Sequence, residues 1–437
     1  MKELLQGAYG AWSALGGVRS ARRRYKRYTY GDQWSDYIPD SNGIMRREEE
    51  IITMSGKRPM TNNLIRQLVK SVVGRYRSVT TEDGTYTRGR AADLSRANSL
   101  AELDSRLLEE FLISGTAVQR LADETRFGVR DVWVDNVDFN RFFVNDFRDP
   151  RGWDITMVGM LHDMPFPEVA RRFGASSRAR AEALRALFAD VSRGGAFAPE
   201  TVGLPGADID FFTPVRHGYC RVVEIWTLDS SLGAPGGSKL DVTFRWHCRW
   251  LAPDGTLLGE YDSPWRHGQH PFMVKFYPLT DGEVHPFVED VIDQQRAINR
   301  LIVLIDRILA TSAKGVLLFP TSQLAPGTSW QDVVNRWAQA DGVIPITGRG
   351  EMPQQVMTNP SASGAYQFLE LQMKLFDDIS GVGDALLGRK DTSARGVEML
   401  ETRLRTATIA LADIFDTFTT FTAMRTAKAL DMKQFAK

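Results

Sequence analysis

The sequence predicts an α+β fold, because helical and strand-like patterns occupy separate stretches of one 437-residue chain. Two observations carry this expectation. Segments rich in β-branched and aromatic residues cluster between Gly115 and Tyr277, and apolar residues at helical spacing run from Phe287 to Phe421. A third is composition: 43% hydrophobic and 25% charged residues are ordinary for a soluble chain that buries a core. The length suits about three compact units, or one extended subunit with several parts.

In chain order, the first forty residues are rich in Gly, Arg and Tyr, show poor periodicity and receive no element. A helix is predicted over Asn63–Arg77, with Leu64, Leu68, Val69 and Val72 on one face, then a loop over Asp83–Arg90. A second helix is predicted over Leu94–Ile113, striped by Leu100, Leu103, Leu107, Leu108, Phe111 and Leu112. Strands follow at Ala117–Leu121, Phe127–Val134 and Arg141–Val144, then short helices at Phe166–Phe173 and Ala179–Val191. Gly194–Asp210 reads as an exposed loop. Tyr219–Leu228, Val242–Leu251 and Leu257–Tyr261 form a meander, with a tip at Gly233–Lys239, a turn at Pro253-Asp254-Gly255 and a further strand at Pro271–Tyr277.

The helical part begins at Phe287–Ser312, where Phe287, Val291, Ile298, Ile302, Ile305 and Leu309 define an apolar face. Glu289, Asp293, Arg296, Arg300 and Arg307 define a charged one. Short strands at Val316–Phe319 and Val343–Ile346 flank a helix at Ser329–Ala338. A helix over Ala362–Ile379 ends at the glycine-rich Gly381–Gly388. A long helix then runs from Ala394 past Phe421, with Asp391, Thr392 and Ser393 offering N-cap oxygens.

Several function classes are disfavoured. No stretch approaches the roughly 18 unbroken apolar residues that span a membrane. The cluster Arg19, Arg22, Arg23, Arg24, Lys26 and Arg27 follows the weakly apolar start, the reverse of secretory order. Cys220 and Cys248 allow at most one disulfide, so the fold does not depend on a disulfide framework. No nucleophile elbow, Walker A loop, HExxH or EF-hand loop is present. Gly381-Val382-Gly383 lacks the strand and lysine of a phosphate loop, and Asp377-Asp378 diverge on a helix. His217, Cys220, His247 and Cys248 are metal-type ligands on neighbouring strands. However, adjacent strand residues point to opposite faces, so His247 and Cys248 do not share one ion. No catalytic residue, metal or cofactor is expected. Lys plus Arg is 54 and Asp plus Glu is 54, so DNA contact over the whole surface is not expected, only confined bands. The Arg22–Arg27 run could meet nucleic acid or a capsid wall, or be solvated surface.

The order of several motifs resembles the portal protein family of tailed phages, the head-to-tail connectors. Tyr28 and Tyr30-Gly31-Asp32-Gln33-Trp34 resemble its opening stretch, followed by Asn62-Asn63-Leu64-Ile65 and Val72-Val73-Gly74. Phe143 to Asp146 resembles the end of the wing hairpins. Asp293-Gln294-Gln295-Arg296-Ala297-Ile298-Asn299 is similar to the stem-helix motif. Ile379-Ser380-Gly381-Val382 and Gly388 to Gly396 resemble the tunnel loop and the start of the helix after it.

The resemblance implies a portal fold: an α/β wing, a two-helix stem, a small β-containing clip, a tunnel loop and a long wing helix. The parts would be an N-terminal arm and wing at 1–286, stem helices at 287–313 and 359–380, and a clip at 314–358. A tunnel loop at 381–393 and the wing helix at 394–437 complete it, with a C-terminal crown absent or truncated. It implies a 12-subunit ring at one capsid vertex, assembled in the host cytoplasm. Double-stranded DNA would pass through the ring during packaging and ejection. The terminase large subunit, a head–tail adaptor and the major capsid protein would be partners, with no membrane. Arg296, Arg300 and Arg307 become candidate cationic bands in the stem lumen or intersubunit ion pairs. Gly381, Gly383, Gly388, Arg389 and Lys390 become the candidate tunnel loop. The alternatives are another ring-forming virion or adaptor protein without a DNA channel, and a hydrolase with a dispersed site.

Overall fold

Each of the two units into which the chain clusters is assembled from separated stretches of sequence. One takes Met1–Asp32, Asn63–Ile292 and Asp377–Lys437; the other takes Gln33–Asn62 and Asp293–Phe376. The computed structural model describes residues 1–89, 91–126, 128–174, 177–193, 209–216, 218–232, 242–312, 316–338, 344–348, 350–356, 362–382, 409 and 411–435. It is 49% helix and 23% strand, the mixed α and β content expected of an α+β fold.

Two helices, α1 (Lys2–Ala14) and α2 (Gly16–Tyr30), open the chain where poor periodicity assigns none. The buried face of α2 is made by Arg19, Tyr25, Tyr28 and Thr29, which a scan for aliphatic residues passes over. Arg19 donates to the Trp12 carbonyl at 2.5 Å and lies 4.0 Å above the Trp12 ring, so the buried guanidinium is met by a carbonyl and an aromatic face. The basic run is likewise engaged within the chain. Arg22 and Lys26 both pair with Glu110, at 2.5 and 2.6 Å, and Arg24 covers the Tyr28 ring.

In the second unit, β1 (Tyr37–Pro39) pairs with β2 (Met45–Arg47), and α3 (Glu48–Met54) follows at once. Back in the first unit, α4 (Leu64–Glu82) starts one residue later than predicted, because the Asn63 side chain accepts from the Arg66 amide and caps it. The helix expected over Leu94–Ile113 is two, α5 (Ala92–Asn98) and α6 (Leu100–Ser114). Asn98 causes the break. Its side-chain amide donates to the carbonyls of Leu94 and Val132 and accepts from Val134, while Ser99 turns to a φ of 52°.

After α6 come β3 (Thr116–Arg126), β4 (Val129–Asn136), β5 (Phe142–Val144), β6 (Met157–Pro165), α7 (Phe166–Phe173) and α8 (Arg178–Arg193). Then follow β7 (Tyr219–Leu232), β8 (Val242–Leu251), β9 (Leu257–Asp262), β10 (Phe272–Phe276), β11 (Pro278–Thr280) and β12 (Glu283–Val284). The antiparallel order β5-β6-β7-β8-β9 makes a five-stranded sheet; β10 joins β3 and β4 instead of extending the meander. The strand β6 went unpredicted because Gly159, His162 and Asp163 interrupt its apolar pattern. Gly159 is required where it stands: a Cβ there would lie 2.1 Å from the Glu224 carbonyl oxygen and 2.3 Å from the Phe143 ring.

The large sheet is buried on both faces. Trp226, Cys248, Trp250 and Phe142 pack with Phe173 and Phe188 of α7 and α8, while Phe143, Leu161, Val223 and Ile225 pack with Leu5 and Ala8 of α1. Residues 194–208 of the predicted loop and the expected tip at Gly233–Lys239 lie outside the described residues.

In the second unit, α9 (Ile292–Ser312) follows a short 3-10 turn at Glu289–Val291 that replaces the predicted start of the helix. β13 (Val316–Leu318), α10 (Trp330–Ala338) and β14 (Gln354–Val356) come next. The partner of β13 is β14 and not the predicted 343–346 segment, of which Ile346 makes one bridge to Leu324. Two glutamines in β14 conceal it from an apolar scan. Finally α11 (Ala362–Ser380) crosses from the second unit's stretch into the first's, and α12 (Ala412–Phe435) belongs to the first. Residues 394–408 and 410 of the predicted long helix, with its caps, lie outside the described residues. Among the described residues no helix is long and apolar enough to cross a membrane.

Candidate functional site

Polar residues recur every four positions along the first turns of α9, and each pair has a defined task. Gln295 and Asn299 are fully buried. The Gln295 side chain donates to the Asn62 carbonyl at 2.7 Å, and Asn299 accepts from the Asn62 amide at 3.0 Å. Asn299 also donates to the Gln33 side chain at 2.5 Å. Gln33 and Asn62 are the two ends of the Gln33–Asn62 stretch, so these two side chains of one helix pin both ends of that excursion. Gln33, Asn62 and the Gln295–Asn299 pair, far apart in the chain, thus converge on one buried hydrogen-bond network. Buried amides without partners are costly, so this network defines the register of α9 against the excursion.

One position further along, Arg296 and Arg300 converge on Glu48 at the start of α3. Arg296 approaches at 3.1 Å, and Arg300 contributes two nitrogens at 2.5 and 2.6 Å. The Glu48 side chain is 4% exposed, those of Arg296 and Arg300 21% and 50%. Two of the three arginines singled out from sequence therefore share a carboxylate within their own chain, 248 and 252 residues away. Arg307, two turns beyond Arg300, is exposed. Of the predicted apolar face, Val291, Ile298 and Ile305 are buried, whereas Leu309 is half exposed, as is Leu304. On α11, Tyr366, Phe368, Leu371 and Ile379 are also exposed.

Of the candidate tunnel loop, Gly381 is described. It ends α11 at a φ of 63°, and the Ser380 hydroxyl donates to the Asp377 carbonyl and accepts from the Val382 amide. Gly383, Gly388, Arg389 and Lys390 lie outside the described residues. So does His217 of the metal-type set. Cys220 and Cys248 both face the core beside Trp226, and burial pushes the Cys220 thiol up to about 11. His247 faces away and binds Asp262 at 2.6 Å and Glu260 at 3.3 Å. Among the described residues no group of three or more His, Cys, Asp or Glu is placed to hold a metal ion.

Two buried charge networks escaped the sequence reading. Arg425 of α12 donates two nitrogens to Asp104 of α6, which also accepts from Gln119 and the Tyr86 hydroxyl. Glu224 accepts from Arg120, Trp226 and His162. Burial alone would raise its pKa, but the Arg120 guanidinium and these hydrogen bonds hold it well below the usual carboxylate range. The available signal was an acid within an apolar stripe, Asp104 between Leu103 and Leu107. Both networks tie elements together and present nothing to a substrate.

No curated protein matches the chain. Residues 221–435, which begin in β7 and run through α12, match the model of the phage P22-like portal protein family. That stretch contains the helix α9 with its Gln295–Asn299 anchor, the segment from β13 to β14, and α11. Over that stretch the chain is similar to the phage P22-like portal protein family, which supports a tailed-phage portal protein.

Proposed function

We propose that twelve copies of this chain form a ring at one capsid vertex and that double-stranded DNA passes through it during packaging and ejection. In this reading residues 1–286 form the arm and wing, 287–313 and 359–380 the stem, and 314–358 the clip. Residues 381–393 form the tunnel loop and 394–437 the wing helix. The ring meets the major capsid protein, and its clip receives the terminase large subunit and later the head–tail adaptor. The observation that carries the reading is the family match over residues 221–435. Exposed apolar side chains on α9 and α11 support it, because a ring subunit needs faces that a lone chain leaves in water.

Contact with DNA is brief in this reading. The net charge is zero, and Glu48 already pairs with Arg296 and Arg300, so a firm grip on phosphate is not favoured. Arg307, Arg389 and Lys390 are the other positions this reading sets along the DNA path. Native mass spectrometry with negative-stain images along the symmetry axis tests the assembly, and a closed ring with a central channel is expected. A monomer or dimer under all conditions, capsid protein included, overturns the proposal.

A further inference from the structure

Two hydrogen bonds attach the last turns of α12 to the stretch that leads into β10. Lys428 donates to the Phe272 carbonyl at 3.1 Å, and Asp431 accepts the His267 amide at 3.2 Å. Beside these anchors Ala429 and Met432 bury themselves against Leu121, Val132 and Val134 of β3 and β4.

Both anchors depend on turns made by neutral histidines. Nδ1 of His267 accepts the Gln269 amide at 3.0 Å, and Nδ1 of His270 accepts the Phe272 amide at 3.2 Å. An imidazolium has no lone pair with which to accept, so a proton taken up at either Nδ1 breaks one of these bonds and sets N–H against N–H. The rings have little else to hold a charge. Their neighbours are Trp265, 5.6 Å from His267, and Trp246, 4.5 Å from His270. Nε2 of His267 is buried and has no hydrogen-bond partner among the described residues.

The charges around the two rings work in the same direction. The Lys428 ammonium acts on both, and Asp431 is the one carboxylate that acts on His267. On His270 the acting groups are Lys428 and His267, both basic. The other charged groups of this end of α12 are matched elsewhere: Arg425 by Asp104 of α6, and Lys433 by Asp131 of β4. Arg266, the neighbour of His267, is exposed and adds a further positive charge. Burial, then the ammonium, push His267 down to about 4 and His270 well below the ordinary 6.5. A released segment therefore takes up protons that the docked one refuses, and acidification below neutrality favours release. Lys428, pushed down to about 7, is already an ammonium over most of this range, which leaves the histidines as the groups that respond.

We propose that this contact is an acid-operated latch. Protonation of His267 and His270 undoes the turns that present the His267 amide and the Phe272 carbonyl, and the end of α12 comes away from β3 and β4. The latch is local to this contact and does not depend on the ring reading.

Hydrogen exchange of the full-length chain, divided by the intrinsic rate at each pH, tests it. A histidine that ionises at 6.5 when released and at about 4 when docked makes release ~30-fold easier at about pH 5 than just above neutrality. The amides of Ala429–Phe435 are therefore expected to exchange at least ~30-fold faster there, while those of Leu107–Ser114 in α6 keep their rate. His267→Gln combined with His270→Gln is expected to remove most of the gain, because glutamine can accept the same amides and has no proton to take up. Helix-end rates that do not change with pH overturn the latch, as does an undiminished gain in the double variant. Opening of α6 and α12 together also overturns it, since that is acid unfolding of the whole chain.

Discussion

Arg425 places two guanidinium nitrogens 2.9 and 3.0 Å from the carboxylate of Asp104, a residue 321 positions earlier in the chain. Both side chains are almost wholly buried, so neither charge has water to fall back on. Arg425→Met leaves Asp104 charged and uncompensated and is expected to cost about 3–5 kcal/mol. Combining it with Asp104→Leu should recover most of the loss, because the buried charge then disappears. Urea unfolding of the three chains measures this; a single change that costs less than about 1 kcal/mol refutes the uncompensated charge.

Gly159 offers a sharper steric test. Alanine there brings a methyl group against the Glu224 carbonyl and the Phe143 ring at once, and a cost of about 1–3 kcal/mol or more is expected. Gly259→Ala is the control, since its Cβ would meet Phe173 at an ordinary 3.6 Å. Equal melting temperatures for the two variants would contradict the close approach of β6 and β7.

Lys428 couples the C-terminal helix to pH. Burial pushes its ammonium down to about 7 from 10.5, with the Phe272 carbonyl 3.1 Å away. Between those values the unfolded chain binds a proton that the folded chain lacks, so stability rises as pH rises through the window. Below about 7 both states are protonated and the full cost of the buried charge is present. Lys428→Met should therefore raise the melting temperature most near pH 7 and progressively less toward 10.5. A gain independent of pH rules out this account.

Glu48 tests how far the arginines of the proposed stem are masked. Glu48→Gln removes the carboxylate shared by Arg296 and Arg300. In assembled rings, DNA affinity should increase, and the slope of log affinity on log salt should steepen by about 0.9 for each phosphate newly contacted. An unchanged slope would mean that these arginines do not face DNA.

Replacing Arg389 and Lys390 by Ala is expected to lower genome packaging or retention while rings still assemble. Phage yield and encapsidated DNA report the outcome, and normal yield from intact rings removes these two residues from the proposed tunnel loop.

How legible the molecule was depended on the distance over which its signals act. Phe166–Phe173, Val242–Leu251 and the start of Ala362–Ser380 carry local patterns, and their predicted limits coincide with the observed ones. The break at Ser99 could not be read locally, because Asn98 answers to Val132 and Val134 on another strand. The N-terminal helices bury Tyr and Arg in place of Leu and Val, which hides their period. At the candidate site the sequence singled out Arg296 and Arg300, and it gave Gln295 and Asn299 only as letters of the stem-helix motif. It placed the arginines on a charged face and did not foresee that Gln33, Glu48 and Asn62 receive them all, since spacing along a helix carries no information about a partner over two hundred residues away.

The pinning of Gln33–Asn62 by Gln295 and Asn299 also has a consequence for biosynthesis. Asn299 follows Gln33 by 266 residues, so at about 5–20 residues per second the excursion emerges from the ribosome some ~13–50 s before its anchor. During that interval Glu48 lacks its arginines and the excursion's ends lack their amides, so this stretch must wait, unfinished, for α9. Nascent chains stalled before Asp293 should expose Gln33–Asn62 to protease, and those stalled well beyond Asn299 should protect it.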